Sequence, residues 1–193
     1  MAVWHRRSGK DDVCLHRTAI AAHERVGAYW YMLPEQAQGR KAIWEAVNPK
    51  TGLRRVDEAF PEELRESTRS QEMFIKFKNG ATWQVVGSDN YNSLVGSPPV
   101  GIVASEWALA KPAAWAYLRP ILQENGGWAV FNTTPRGKNH AHRMLEGARS
   151  DPAWFTEVLP AKQTDVFTPA QLEQEKRELM REYGQAVGIQ MFD

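Results

Sequence analysis

Short, continuous apolar runs alternate along the chain with segments of helical periodicity, and this alternation most restricts the possible folds. Residues 28–33 and 100–104 are continuous apolar runs, as expected of strands buried on both faces. Apolar residues at helical spacing predict a helix over 11–26, and another helix is predicted over 112–123. Strands that alternate with helices predict βαβ units and a mainly parallel sheet covered by helices on both faces. The expected class is therefore α/β.

Turn and capping signals predict the remaining elements. Asn79-Gly80 separates two β-rich runs and is the strongest short-range signal for a β-hairpin. Asn139 can cap a helix that extends to about residue 147. Thr168 and Gln171 form a capping box, with proline at the first helical position, that starts a charged C-terminal helix. Also predicted are a helix over 34–47, a surface segment over 48–72 with a short helix near 61–66, a loop over 88–99, and strands over 128–132 and 154–159.

Length, charge and cysteine content restrict the class of protein. The 193 residues fit one domain, with residues 1–165 as the core and 166–193 as a C-terminal helix. With 24 basic and 23 acidic side chains, the chain lacks the basic excess of a free-standing, high-affinity nucleic-acid binder. A single cysteine, Cys14, excludes a disulfide framework and suits a reducing compartment. No stretch is long and apolar enough to span a bilayer, so we expect an intracellular protein without a membrane partner.

The first segment with a chemical signature is the basic turn His5-Arg6-Arg7-Ser8-Gly9-Lys10, which follows a short apolar run. Gly9 can take a positive φ and lets a phosphate approach the backbone. Backbone N–H groups of the turn and the positive end of the next helix can then bind an anion. Lys10 would add a charge for the β- and γ-phosphates. Trp4 and Asp11 stand where the full phosphate-loop pattern has Gly and Ser or Thr, so the turn alone also fits a solvated basic turn.

Two further loops follow predicted strands and complete the requirements for hydrolysis of a nucleoside triphosphate. Such an enzyme needs a phosphate cradle, a magnesium ion, a carboxylate that positions water, and positive charge on the transition state. Glu106 directly follows the apolar strand over 100–104, and Thr133 or Thr134 can sense the γ-phosphate. Arg6 and Arg7 can supply positive charge. Each loop alone also fits a simple strand end or turn, whereas their order on alternating elements favours the catalytic interpretation.

With these motifs in this order, the chain resembles the ATPase half of the large terminase subunit, the DNA-packaging motor of tailed bacteriophages and prophages. The family's phosphate loop, x-R-x-x-G-K, is similar to residues 5–10. Its acidic strand motif is similar to residues 102–106, and its coupling motif to residues 133–139. The resemblance implies a P-loop NTPase-like, three-layer α/β/α fold with an added β-hairpin. It also implies an ATP-hydrolysing motor domain that drives double-stranded DNA into the procapsid.

The resemblance also implies cofactors, partners and site residues. The cofactors are ATP and Mg²⁺, and Glu106 and Arg6 are catalytic. The implied partners are double-stranded DNA, the portal protein and the small terminase subunit, in the cytoplasm of the bacterial host, and a homo-oligomeric ring is allowed. The implied ATP-binding residues are Arg6, Arg7, Ser8, Gly9, Lys10, Asp11 and Asp12, and the implied coupling residues are Thr133, Thr134, Pro135, Arg136 and Gly137.

The chain departs from the family pattern at four places. Only residues 1–4 precede the loop, where the family has a segment that grips the adenine. The chain stops at Asp193, where the family continues toward a nuclease domain, so we expect no nuclease activity from it. Val95 precedes Gly96 where the family often has an arginine that reaches the neighbouring subunit. Finally, the usual magnesium pair is a hydroxyl after the lysine and an aspartate before the catalytic glutamate, and Asp11 and Ser105 exchange these groups.

Two interpretations of this exchange stay open. Magnesium takes oxygen ligands and usually keeps several waters, so one carboxylate and one hydroxyl serve it from either position. Alternatively, Asp11 only caps the positive end of the helix.

Two other functions of the chain also stay open. The chain could be a truncated prophage remnant that keeps the fold as an inactive binding or structural module. It could also be a helicase-like ATPase, although a second helicase core domain is lacking.

Overall fold

The computed structural model describes residues 1–94 and 98–183. By its internal contacts the chain divides into two compact units, which we describe separately. The larger unit is Asp11–Val130, and the smaller unit combines Met1–Lys10 with Phe131–Asp193. The single domain predicted from the sequence stays a prediction. Val95, Gly96 and the end of the predicted C-terminal helix, residues 184–193, lie outside the described residues.

The larger unit is built on a mixed sheet. Strand β2 runs parallel to both β5 and β6, with Tyr31 opposite Val85 on one side and Val103 on the other. The β3-β4-β5 part is antiparallel, which confirms the hairpin predicted at Asn79-Gly80. The spatial order is β3-β4-β5-β2-β6-β7. The strands are β2 (Ala28–Leu33), β3 (Arg65–Arg69), β4 (Phe74–Phe77), β5 (Thr82–Gly87), β6 (Pro99–Ala104) and the first half of β7 (Trp128–Thr133).

The helices of the larger unit connect these strands. They are α1 (Lys10–Glu24, whose first residue belongs to the smaller unit), α2 (Gln36–Gly39), α3 (Arg55–Ala59) and α4 (Pro112–Glu124). A π-helical segment, Arg40–Trp44, continues α2, so the helix predicted over 34–47 ends three residues early. The short 3₁₀ segments are Glu62–Leu64, Ser88–Leu94 and Trp107–Leu109. The loop predicted over 88–99 thus contains 3₁₀ structure and ends in a strand.

The surface segment predicted over 48–72 is partly wrong. A 3₁₀ helix at Glu62–Leu64 lies where the short helix was predicted, but an unpredicted α-helix, Arg55–Ala59, precedes it. Val56 and Phe60 are four residues apart, and both are fully buried. Arg65 then donates to the Phe60 carbonyl at 2.7 Å and pairs with Asp57 at 2.7 Å, where β3 begins. Most of the segment is exposed as expected, but Val56, Ala59, Phe60 and Arg65 are buried.

An aromatic core holds the larger unit together. Trp83 on β5 is fully buried and stacks on Trp44, with ring centroids 6.2 Å apart. Phe60 packs against the Trp83 ring, with centroids 4.8 Å apart. Helix α1 joins this core through Cys14, Leu15, Ala21 and Ala22. The helix predicted over 11–26 ends at Glu24, so Val26 lies beyond it and is 59% exposed.

The smaller unit contains three parallel strands. Strand β1 (Ala2–Trp4) lies between the second half of β7 and β8 (Glu157–Leu159), and Val3 faces Thr133 and Val158. The predicted strand over 154–159 is therefore shorter than expected. The remaining elements are α5 (His140–Arg149), a 3₁₀ turn (Ala161–Gln163) and α6 (Pro169–Tyr183).

Both predicted caps of the smaller unit are confirmed. Asn139 Oδ1 accepts hydrogen bonds from the backbone N–H groups of Ala141 and His142, at 2.9 and 3.3 Å. At the start of α6, the Thr168 N–H donates to Gln171 Oε1 at 2.9 Å, and the Gln171 N–H donates to Thr168 Oγ1 at 3.3 Å. Local sequence signals therefore determine both helix starts.

The pairings β1–β7, β1–β8, β2–β5 and β2–β6 are parallel, the pairings β3–β4 and β4–β5 are antiparallel, and helices lie between most of the strands along the chain. The predicted class, α/β with a mainly parallel sheet and an added hairpin, is confirmed. In the part of the chain that the structure describes, no helix combines the length and apolarity needed to cross a membrane.

Candidate functional site

The turn over residues 5–10 leads from a strand into a helix and contains two residues with left-handed backbone angles. It connects β1, which ends at Trp4, to α1, which begins at Lys10. Arg7 and Gly9 both have left-handed backbone angles, with φ of 61° and 77°. Turns of this kind direct successive N–H groups into a concavity that suits an anion. Ser8 Oγ is buried and has no hydrogen-bond partner among the described residues, so it can donate to a ligand.

Charged side chains of this turn differ in exposure. Lys10 is buried, with 7% of its surface exposed, whereas Arg6 and Arg7 are exposed. A buried ammonium group needs negative partners, because burial penalises the charged form. The turn therefore combines a buried cation with two solvent-facing guanidinium groups.

The predicted coupling segment begins at the same sheet edge as this turn. Strand β7 is parallel to β1 and pairs Thr133 with Val3, so the segments that follow the two strands leave the sheet on one side. Thr133 and Thr134 are both buried, and Thr133 Oγ1 donates to the Thr134 carbonyl at 3.0 Å. Further along, Gly137 has a φ of 68° and Asn139 Nδ2 donates to the Arg136 carbonyl at 3.0 Å.

His5 anchors the start of the turn over residues 5–10, a role that no sequence motif indicates. Its side chain is buried, and its Nε2 lies 2.9 Å from Thr164 Oγ1, just after the 3₁₀ turn that follows β8. The His5 N–H donates to the Leu159 carbonyl at 3.1 Å. Burial lowers the pKa of His5, the positive charge of Lys10 lowers it further, and the Arg6 backbone acts in the opposite direction. The neutral imidazole is therefore the favoured form in the folded chain.

In the larger unit, the two residues of the exchanged magnesium pair are in direct contact. Ser105 Oγ donates to Asp11 Oδ1 at 2.7 Å, across 94 positions of sequence. The hydroxyl of Tyr31, on β2, donates to the same carboxylate oxygen at 2.7 Å. The Ser105 N–H donates to the Met32 carbonyl at 2.8 Å, which continues the pairing of β6 with β2 past the strand end. Two hydroxyl donors therefore converge on one oxygen of Asp11, at distances expected of charge-assisted bonds.

The neighbouring carboxylate, Asp12, has a different environment. Its Oδ1 lies 3.2 Å from Nε of Arg55, the first residue of α3, and both side chains are partly exposed. This ion pair links the first turn of α1 to α3. The implied role of Asp12 in ATP binding stays a prediction.

Glu106 lies two residues after the end of strand β6. Its backbone has φ 51° and ψ 43°, the left-handed region, and its side chain is half-buried. For a residue with a Cβ, this conformation costs about 1–2 kcal/mol. Strained backbone of this kind is found preferentially at functional sites. Met73 has a similar φ of 50°, so strain alone does not identify a functional residue, and the catalytic role of Glu106 stays a prediction.

The donor set of the larger unit fits magnesium better than it fits a metal held wholly by protein ligands. Among residues 1–94 and 98–183, no group of three or more His, Cys, Asp or Glu side chains could hold a metal ion. Magnesium is usually bound through one or two protein oxygens, with waters and substrate phosphates completing the octahedron. Asp11 and Ser105 supply one carboxylate and one hydroxyl within 2.7 Å of each other, so they fit this ion.

Comparison with known proteins relates the fold of the chain to solved structures of phage large terminases. No protein-family profile matches the chain, and no curated protein matches it. The ATPase domain of the large terminase from Thermus phage P74-26 superposes with a TM-score of 0.74 at 19% identity, over 100% of this chain and 86% of that domain. The large terminase of a second, thermophilic bacteriophage gives a TM-score of 0.70 at 14% identity, over 91% of this chain and 44% of that protein.

Structures of this second terminase in complex with ADP and with ATP-γ-S give TM-scores of 0.68 and 0.66. Because the identities are low, these comparisons establish the fold. The resemblance seen in the sequence is confirmed at that level, and the chain has the fold of phage large terminase ATPase domains. The relation of Lys10 to Glu106 and the individual roles of the site residues stay predictions.

Proposed function

We propose that this chain is the ATP-hydrolysing motor domain of a phage large terminase and drives double-stranded DNA into the procapsid. The terminase ATPase fold supports the proposal, as do the terminase structures that carry ADP and ATP-γ-S on the same fold. The 2.7 Å hydrogen bond between Ser105 and Asp11 is the observation that carries it. This bond joins the two positions at which the sequence resemblance expects the magnesium ligands.

The turn over residues 5–10 supplies the first part of the proposed chemistry. Ser8 Oγ and the backbone of Gly9 donate to phosphate oxygens, and Lys10 adds a positive charge. Arg6 and Arg7, which are exposed, stabilise the negative charge that develops on the transferred group. These interactions act mainly by positioning and by electrostatic stabilisation, which is most of what phosphoryl transfer requires.

The larger unit supplies the second part. Asp11 and Ser105 would hold Mg²⁺, each through one oxygen. The bound ion would neutralise charge on the β- and γ-phosphates. Glu106 orients the attacking water and accepts its proton. Residues 133–137 couple hydrolysis to DNA movement, and the portal protein, the small terminase subunit and further copies of this chain are the proposed partners in the host cytoplasm.

Exchanging the magnesium pair tests this function. Asp11→Ser leaves two hydroxyls and no carboxylate, and Ser105→Asp places two carboxylates in contact, where they repel each other. Each single variant should lower ATP turnover by an amount on the order of 10- to 100-fold, as for other perturbed metal sites. The double variant restores one carboxylate and one hydroxyl, so it should recover most of the turnover.

The matched control makes the same exchange at the exposed neighbours Ser150 and Asp151, where turnover should not change. Phosphate release is measured with and without Mg²⁺ and duplex DNA. A double variant no more active than the singles contradicts the assignment of the metal ligands. A wild-type chain that releases no phosphate under any of these conditions instead supports the inactive structural module, and strand separation coupled to hydrolysis would support the helicase-like ATPase.

A further inference from the structure

Tyr31 contacts the proposed metal ligand, yet its sequence position in an apolar strand marks it only as a core residue. We propose that Tyr31 is a positioning residue, whose hydroxyl holds the Asp11 carboxylate in the orientation that binds the divalent cation. The inference rests on the proposed function, since Asp11 is a metal ligand only on that proposal.

The position of the Tyr31 hydroxyl is tightly constrained. Tyr31 lies in the middle of β2, with Val85 on β5 and Val103 on β6 as its neighbours in the sheet. Its side chain is fully buried, and its ring packs against Trp83 at a centroid distance of 6.3 Å. Since the ring cannot swing away without opening the core, the 2.7 Å bond to Asp11 Oδ1 is a fixed feature of the fold.

The Tyr31 hydroxyl donates its proton to the Asp11 carboxylate. The donated bond is charge-assisted, and such bonds are shorter and stronger than neutral ones. Loss of the hydroxyl would leave the Asp11 carboxylate with one fewer orienting contact.

Ser105 and Tyr31 both donate to Asp11 Oδ1, but only Ser105 is also a proposed metal ligand. On the proposed function, the Ser105 oxygen is itself a metal ligand, so its geometry changes when the ion binds. Tyr31 is not a ligand and can hold the carboxylate both before and after the ion arrives. Groups that orient metal ligands in this way typically change metal affinity by about 10- to 100-fold.

The chain contains a close control for this residue. Tyr29 lies two positions earlier on β2, on the same face, and is equally buried. Its hydroxyl also reaches α1, where its single proton lies between the backbone carbonyl oxygens of Ala21, at 2.8 Å, and Arg25, at 2.6 Å, the latter just beyond the helix end. Tyr29→Phe therefore removes a buried hydroxyl from the same strand without touching Asp11.

The test compares Tyr31→Phe with Tyr29→Phe in two measurements. The first is the urea midpoint of the chain without metal or nucleotide, which should fall in both variants. The second is the affinity for Mn²⁺ in the presence of ADP, measured by the electron paramagnetic resonance of free Mn²⁺. This affinity should fall on the order of 10- to 100-fold in Tyr31→Phe and stay at the wild-type value in Tyr29→Phe.

The possible results distinguish failure of the proposed role of Tyr31 from failure of the proposed function. A wild-type chain that binds Mn²⁺ and ADP, with an unchanged affinity in Tyr31→Phe, overturns the role of Tyr31 alone. A wild-type chain that binds neither Mn²⁺ nor ADP overturns the proposed function, and the role of Tyr31 with it. Equal loss of Mn²⁺ affinity in both variants shows a merely structural effect and also overturns the inference.

If Tyr31→Phe does not fold, a measurement on the wild-type chain decides the question. Tyrosines labelled with ¹³C at Cζ are assigned with Tyr→Phe variants of the other four. Addition of Mg²⁺ and ADP should shift the Cζ resonance of Tyr31 and leave that of Tyr29 in place. An unshifted Tyr31 resonance, with nucleotide bound, overturns the inference.

Discussion

Glu106 has left-handed backbone angles, φ 51° and ψ 43°, close to the centre of the region that glycine occupies without strain. We predict that the chain becomes more stable with Gly than with Ala at this position, although both substitutions remove the carboxylate. Ala keeps a Cβ that clashes in this conformation, whereas Gly has none. The comparison isolates the strain, because the two variants lose the same side-chain contacts.

The expected difference in unfolding free energy between the Gly and Ala variants follows from two opposing contributions. A left-handed residue with a Cβ costs about 1–2 kcal/mol. Glycine costs about 0.5–1 kcal/mol relative to alanine through the entropy of the unfolded chain. The net preference for Gly over Ala at Glu106 is then up to about 1.5 kcal/mol, with a central value of ~0.75 kcal/mol. For a chain of this size, 1 kcal/mol corresponds to roughly 2–4 °C in Tm.

Urea unfolding of the two variants gives their free energies of unfolding. The same two substitutions at Glu146 provide the control. Glu146 is an exposed residue inside helix α5, where Gly should be less stable than Ala by about 1 kcal/mol. The sign of the Gly-minus-Ala difference should therefore reverse between the two positions. If Ala is as stable as Gly or more stable at Glu106, the backbone there is unstrained and our argument from strain fails. Both Glu106 variants should also lack ATP turnover, whereas a turnover equal to wild type would remove Glu106 from the proposed chemistry.

Two further predictions concern packing and pH. Gly101→Ala should destabilise the chain by about 1–3 kcal/mol in urea unfolding, because its Cβ would lie 2.7 Å from ring atoms of Trp128 and Tyr29. Gly147→Ala, whose Cβ would meet no atom within 4 Å, should not destabilise it, and equal effects of the two changes would contradict the packing argument. Because burial lowers the pKa of His5, the unfolded chain binds more protons below pH ~6.5, so the His5 contribution is present above that pH and is lost as the pH falls toward the lowered pKa. His5→Gln should flatten the pH dependence of the unfolding free energy between about pH 5 and 7, and an unchanged slope would refute this role.

The sequence by itself determined the elements that depend on neighbouring residues. The hairpin at Asn79-Gly80 and the caps at Asn139 and Thr168 were predictable because a turn or a helix start is set within a few residues. The buried strands were predictable for a similar reason, since a continuous apolar run has few other places to go. The order of the phosphate turn, the acidic strand end and the Thr-Pro turn also indicated the terminase ATPase fold, which the solved structures share.

Only the tertiary structure decided which distant residues meet. The segment around Val56 and Phe60 was predicted to be at the surface, yet both side chains are fully buried, and Phe60 packs against Phe77 on β4 and Trp83 on β5. Tyr29 and Tyr31 look alike in the sequence, as aromatic residues of one apolar strand. The packing of α1 against β2 places one hydroxyl at backbone carbonyls and the other at the Asp11 carboxylate. Contacts of this kind depend on long-range packing, which no local pattern encodes.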